Sequence, residues 1–321
     1  MTRLMLVDTA SAYFRAFHGI PTTVRSPDGR PVNAVRGLLD MLAHFVATRS
    51  PDELVCCWDV DWRPAWRVGL VPSYKSHRVA DEHGGPDGSV GAEQVPDELV
   101  GQIAMIREVL AAAGIPVVGA EGYEADDVMA TLASDGVRRG RDVDLVTGDR
   151  DLFQLARRSP DGGSVVRVVY TGRGNARALV LDEDAIASRY SIPPRTYAEF
   201  ATLRGDPSDG LPGVPGVGDR TASQLLNRFG TLAAILSAAR AGDPGMTPAV
   251  RSKLLAVADQ MPAMRQVVGV VPDVGVDVPA GGWPLPNLPA DPGWWSRLVS
   301  EHGLGGSADR LAAALGWPPG R

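Results

Sequence analysis

Three short apolar runs, each leading into an aspartate, constrain this chain most. Leu4-Met5-Leu6-Val7 runs into Asp8, Leu54-Val55-Cys56-Cys57-Trp58 into Asp59, and Val143-Asp144-Leu145-Val146-Thr147-Gly148 into Asp149, with Asp151 two residues further on. Helical patterns over 35–47, 97–113 and 124–139 lie between and around them, the last two closed by Gly114 and Gly140. Strands alternating with helices specify a mostly parallel sheet covered by helices. The carboxyl ends of parallel strands share one edge, where ligands bind. Three separate segments therefore deliver acids to one place.

Glu124, Asp126 and Asp127 open the helix at 124–139 and form a fourth source. Glu124 and Asp127 stand three apart, the spacing of one helix face. The helix dipole favours acids there by roughly 0.3–1 kcal/mol each, too little to offset several crowded carboxylates. Divalent cations would offset them, and oxygen-only donors select Mg²⁺ or Mn²⁺. There is no His/Cys cluster at zinc spacing. Taken one at a time, such acids also serve as turn formers and caps. Asp206-Pro207-Ser208-Asp209 adds two more acids in a turn.

A glycine-rich hairpin follows, Leu211-Pro-Gly213-Val-Pro-Gly216-Val-Gly218-Asp-Arg220, ahead of the helical run from Thr221. Glycine allows φ > 0 turns and close approach of backbone N–H groups to phosphate, and the next helix N-terminus is an anion site. A hairpin of this kind grips a nucleic-acid backbone and reads no bases.

Residues 1–182 thus read as an α/β core, with a short strand at 116–118 and a hairpin or sheet edge at 165–170 and 178–181. A long insertion at about 60–96 interrupts it, bearing Arg63, Arg67, Lys75, His77 and Arg78 before a glycine-rich acidic stretch, Asp81 to Glu93. Such insertions are uncommon and often functional. Residues 183–321 read as helical, with helices over 183–189, 194–203, 221–228, 232–239, 248–257 and 307–315 and an extended connection over 279–292. Cys56 and Cys57 are adjacent in a strand and point to opposite faces, so they read as reduced core residues, in keeping with a cytoplasmic setting. The first apolar run is too short for a signal peptide and no stretch spans a membrane. The five histidines and seven tryptophans read as surface or packing residues.

These motifs resemble the 5′ nuclease (flap endonuclease) family, in particular the bacterial type fused to DNA polymerase I or free-standing. The matching stretches, in the family's order, are LMLVDTASAYFRAFHGIP, VNAVRGLLDML, VCCWD, VPSYKSHR, EGYEADDVMATLA, VTGDRDLFQLA and LRGDPSDGLPGVPGVGDRTASQLL. The length leaves no room for a polymerase, so the free-standing form is the one resembled. The resemblance implies a PIN-like sheet with a helical arch over the insertion, and a helix-hairpin-helix-like DNA-binding element at about 204–236. It also implies a two-metal site. Asp8, Asp59, Glu124, Asp126 and Asp127 would hold the first ion, and Asp149, Asp151, Asp206 and Asp209 the second. Lys75 and Arg78, and Arg15 beside them, would contact the scissile phosphate. Gly213, Gly216, Gly218 and Arg220 would grip duplex DNA. A potassium ion would sit on backbone carbonyls at Ser208, Val214 and Val217. The implied partner is DNA with a 5′ flap, a free 5′ end or a junction, or an RNA–DNA hybrid, bound by a monomer. Two departures are Thr9-Ala10-Ser11 for the family's more usual Gly-Ser-Ser, and Gly210 where Asn is usual.

The net charge of −6 and pI near 5.4 argue against a nucleic-acid partner. Setting the nine assigned acids aside turns −6 into +3, and bound metal would cancel their charge. Three rival readings remain at this stage. A PIN-type ribonuclease explains the strands but not the insertion or hairpin. A non-catalytic junction binder leaves the filled acid positions unexplained. An aspartate-nucleophile phosphatase would need a second acid at position 10, which is Ala10.

Overall fold

The side chains of the apolar runs alternate between two cores, which makes them strands of one sheet covered on both sides. The computed structural model describes residues 2–79 and 93–318. Among these, β1 (Arg3–Asp8), β2 (Glu53–Cys57), β3 (Val117–Val118), β4 (Asp142–Thr147), β5 (Arg157–Arg158), β6 (Val165–Tyr170) and β7 (Leu179–Leu181) form a seven-stranded sheet in the order β3-β2-β1-β4-β6-β5. β3, β2, β1, β4 and β6 run parallel. β5 and β7 pair antiparallel with β6 at the edge.

Leu4, Leu6, Val55 and Cys57 enter one core, while Met5, Val7, Leu54 and Cys56 enter the other. The two free cysteines thus face opposite ways, as alternation requires. Helices α1 (Thr9–Gly19), α2 (Asn33–Arg49) and α4 (Asp97–Ala113) cover the second core. Asn33 and Gln102 tie them together: Asn33 Nδ2 donates to Phe17 O and Ile20 O, and Gln102 Oε1 accepts from Ala34 N, each at 2.8 Å. The short α3 (Ala65–Leu70) lies in the basic insertion, and α5 (Ala125–Arg138) covers the first core. That core continues into α6 (Glu183–Tyr190), α7 (Tyr197–Arg204), α8 (Asp219–Phe229), α9 (Leu232–Ala241), α10 (Pro248–Val257) and α11 (Met261–Val268). The chain then returns to the α/β layer. Trp295 and Leu298 of α12 (Pro292–Glu301) and Leu311 of α13 (Gly305–Ala314) join the second core, where α13 packs on α2 and α12 on α4. The described stretch 183–318 is therefore mainly helical, but α12 and α13 belong by packing to the N-terminal layer.

Several elements differ from the sequence reading. α1 starts on the residue after β1, with no turn residues to announce it. α11 and α12, neither of them among the helices read from the sequence, carry proline in their first turn. Proline is tolerated there because its missing N–H would have no helical partner. The helix expected over 194–203 divides into a 3₁₀ turn, Pro194–Thr196, and α7. In the insertion, α3 and a 3₁₀ turn at Ser76–Arg78 lead to a bridge between Val79 and Glu93. Most of the glycine-rich stretch, and with it the order of the implied arch, lies outside the described residues. Among the described residues, no helix is long and apolar enough to cross a membrane.

Candidate active site

Asp8 ends β1 and caps α1: its Oδ1 accepts from Ser11 N at 3.0 Å. Its Oδ2 accepts from Thr147 Oγ1, at the end of β4, at 2.7 Å. Thr147 Oγ1 accepts in turn from Asp149 N at 2.9 Å, and Asp149 Oδ1 accepts from Asp151 N at 2.8 Å. Asp59, just past β2, accepts from Ala125 N at the start of α5 at 2.7 Å. Asp8, Asp59, Glu124, Asp126 and Asp149 thereby line one cleft of about 750 Å³ at the carboxyl edge of the sheet.

Crowding and burial mark these carboxyls. Burial, then the charge of Asp59, pushes Asp8 up to about 7 against the pull of its two hydrogen bonds. Burial, then Asp149, Asp8 and Glu124, holds Asp126 well above the usual carboxylate range. Burial also raises Asp59, opposed by Lys75.

A second acidic group adjoins the first. Asp151 is raised by burial, then by Asp149, Asp209 and Asp206. Burial pushes Asp209 up to about 6, with Lys75 opposing and Asp149 adding. Asp206 is committed to its own turn: it caps Pro207–Asp209 through Ser208 N at 2.9 Å and stands 3.4 Å from Arg204. The basic insertion anchors on the same turn. Lys75 N donates to Asp209 O at 2.9 Å, and Arg78 donates to Ser208 O at 2.6 Å and Asp209 Oδ1 at 3.1 Å. Gly210, at φ +70°, makes this contact possible, since a Cβ there would stand 2.2 Å from Ser73 O.

Lys75, Arg78 and Arg15 all line the cleft. Lys75 adopts φ +48°, and its ammonium bonds Glu124 Oε1 and, at 3.3 Å, Trp62 O. Gly148 leaves room for Arg15; a Cβ there would meet Arg15 Nη2 at 2.6 Å. His18 and His77, read from sequence as surface or packing residues, also line the cleft, as does Glu93.

Asp127 does not join the cleft. It is fully buried, and its carboxylate takes a bidentate contact from Arg67, both bonds at 2.8 Å. The Glu124–Asp127 spacing expresses a cap instead of a shared face. The Asp127 carboxylate reaches back to Glu124 N at 3.3 Å, the return half of a capping box. Neither Arg67 nor Tyr74, whose hydroxyl donates to Glu124 Oε2 at 2.8 Å, was assigned to the site from sequence. The signal for Arg67 was its place in the basic insertion.

α7 and α8 flank the glycine hairpin. Gly213 and Gly216 have φ of +62° and +74°. The closeness at Gly213 is internal, because a Cβ there would stand 2.3 Å from Gly205 N. Gly216 faces Lys253, whose Nζ would be 2.6 Å from such a Cβ. Gly218 precedes α8 in open space, with Arg220 exposed in the first turn. Of the carbonyls implied for potassium, that of Ser208 accepts Arg78 and that of Val214 accepts Val217 N at 3.0 Å.

The donor set suits a hard divalent cation. It is all carboxylate oxygen, neighbouring carboxylates add to the burial that raises Asp8, Asp126 and Asp151, and Asp151 Oδ1 is buried without a hydrogen-bond partner. Among the described residues, no three acidic, His or Cys groups are already gathered at metal-ligand spacing. Mg²⁺ sites commonly use only one or two carboxylates and keep several waters.

Two family models cover most of the chain. The 5′-3′ exonuclease N-terminal resolvase-like domain matches residues 3–191, and the 5′-3′ exonuclease C-terminal SAM fold matches 192–287. A 5′-3′ exonuclease of Streptomyces coelicolor is 48% identical over 312 residues, 97% of this chain and 99% of its own. One from Mycobacterium tuberculosis is 46% identical over 322 residues, 99% of each. The bacteriophage T5 D15 flap endonuclease, solved as a pseudo-enzyme–product complex with DNA and metal ions, shares the fold at a TM-score of 0.58 and 14% identity, covering 98% of this chain and 99% of its own. With acids from three strand ends and one helix start meeting in one cleft, and with both family models matched in sequence, this chain belongs to the 5′-3′ exonuclease family.

Proposed function

We propose that the protein is a structure-specific 5′ nuclease that hydrolyses DNA phosphodiester bonds near a free 5′ end or at the base of a 5′ flap. One observation carries the reading: six carboxylates, those of Asp8, Asp59, Glu93, Glu124, Asp126 and Asp149, and the cations Lys75, Arg78 and Arg15 line the same cleft. The T5 enzyme of the same fold is described as a flap endonuclease with DNA and metal ions. Carboxylates alone would repel a phosphate, and basic groups alone would bind it without hydrolysis.

Asp8, Asp59, Glu124, Asp126 and Asp149 would hold Mg²⁺ or Mn²⁺, with Asp151 and Asp209 next to them. Such ions, when bound, supply charge to activate water and steady the departing oxygen. Lys75 and Arg78 neutralise the phosphate as its charge grows, while Arg15, beside Gly148, orients it. The hairpin and Arg220 take the duplex by its backbone, and specificity comes from DNA shape. Of the three carbonyls that would hold potassium, those of Ser208 and Val214 each accept one hydrogen bond and keep a second lone pair.

A labelled 5′-flap duplex, a blunt duplex and an RNA hairpin, each incubated with Mn²⁺ and with chelator, test the proposal. Chelator-sensitive cutting at the flap base is the expected result. Preferential cutting of the RNA would replace the substrate class, and metal-dependent binding with no product would overturn catalysis.

A further inference from the structure

Arg67 sits on α3, only 3% exposed, and all its donors are used. Nε donates to Val267 O at 3.1 Å. Nη1 donates to Glu124 Oε2 at 2.6 Å and Asp127 Oδ2 at 2.8 Å. Nη2 donates to Asp127 Oδ1 at 2.8 Å and Gly269 O at 3.3 Å. A guanidinium has five N–H groups in a rigid fork, so Arg67 keeps none for a phosphate. In this it differs from Lys75 and Arg78, which line the cleft.

The acceptors are filled as well. Asp127 Oδ1 also accepts from Val271 N at 2.8 Å, and Oδ2 from Glu124 N at 3.3 Å. Glu124 Oε2 takes Arg67 and, at 2.8 Å, the Tyr74 hydroxyl, which also lies 3.1 Å from Oε1; Oε1 bonds the cleft-lining Lys75. Gln154 clips the same segment at the end of α11, donating to Val268 O at 3.0 Å and accepting from Val270 N at 3.3 Å.

We infer that Arg67 is a positioning residue: it turns one oxygen of Glu124 to the cleft, holds Asp127 out of the metal-binding set, and fastens both to segment 267–271. The inference rests on the reading of the cleft as a cation site. It departs from the assignment of Asp127 as a metal ligand.

The 321-residue protein and its Arg67→Lys, Asp127→Asn and Asp126→Asn variants, compared for Mn²⁺ binding without DNA by calorimetry and for kcat and KM on a 5′-flap duplex, test it. Groups that orient metal ligands typically change affinity or activity by about 10–100-fold when replaced. Arg67→Lys is expected to weaken Mn²⁺ binding and lower kcat by at least about tenfold, the lower end of that range, with KM for DNA unchanged. Asp127→Asn is expected to keep the full number of Mn²⁺ ions bound, whereas Asp126→Asn loses one. A raised KM with unchanged kcat in Arg67→Lys would make Arg67 a DNA contact and overturn the inference; so would wild-type behaviour. If Arg67→Lys does not fold, Asp127→Asn decides, because loss of a Mn²⁺ ion there makes Asp127 a ligand. Full Mn²⁺ binding by Asp126→Asn would instead overturn the reading of the cleft, and the inference with it.

Discussion

Thr147 Oγ1 donates to Asp8 Oδ2 at 2.7 Å and so joins the ends of two adjacent parallel strands at the floor of the acidic cleft. The bond favours the charged form of a carboxyl that burial and Asp59 push toward neutrality. Thr147→Val keeps the shape and removes the donor. The variant is expected to lose about 1–3 kcal/mol of stability, and the acid limb of its single-turnover pH–rate profile moves to higher pH. An unmoved acid limb would show that Asp8 ionisation does not govern cleavage.

Raised carboxyls give metal-free protein a definite pH response. Asp8 is raised from 3.8 to about 7 and Asp209 to about 6. Between the unfolded and folded values the native state binds more protons than the unfolded chain, so stability falls as pH rises. In chelator, Tm is expected to decline from about pH 4 to 7, the window set by those values. Mn²⁺ at pH 8 should restore it, because an ion that binds only the folded state stabilises it. A chelated protein equally stable at both ends of that window would mean the cluster carries no such strain.

The hairpin glycines divide into two kinds. Gly213 has φ +62° and packs on the backbone of Gly205, whereas Gly218 has an ordinary φ of −97° and open space around it. Gly213→Ala is expected to destabilise by at least about 1–3 kcal/mol, through backbone strain and clash. Gly218→Ala should leave Tm unchanged and weaken binding to duplex DNA. Arg220→Gln should reduce the slope of log K against log salt by about one. Unchanged DNA binding in both Gly218→Ala and Arg220→Gln would remove the hairpin from the DNA interface.

Much of the site was legible because strand-helix alternation fixes which sheet edge receives the acids. Asp8, Asp59 and Asp149 needed only their strands located, and Glu124 and Asp126 only a helix start. The burial of Asp127 against Arg67 was not legible because i, i+3 spacing describes both a shared helix face and a capping box, and only the partner, Arg67, tells them apart. That partner lies 60 residues away and is a residue type seldom buried without a paired charge. α1 went unread because Asp8 serves both as the last strand residue and as the cap. The return of α12 and α13 to the second core of the α/β layer depends on long-range packing by Trp295, Leu298 and Leu311, which local pattern does not encode.

Single-turnover cleavage of a 5′-flap duplex at saturating Mn²⁺, by the wild type and by Asp126→Asn, tests the central claim most directly. Asp126 lines the cleft with the strand-end acids Asp8 and Asp149, and burial, then Asp149 and Asp8, raises its carboxyl. The account predicts cutting at the flap base by the wild type and a loss of at least about a hundredfold in the variant with DNA binding retained, the scale of removing a group that supports developing charge. Cleavage by Asp126→Asn at the wild-type rate would contradict it.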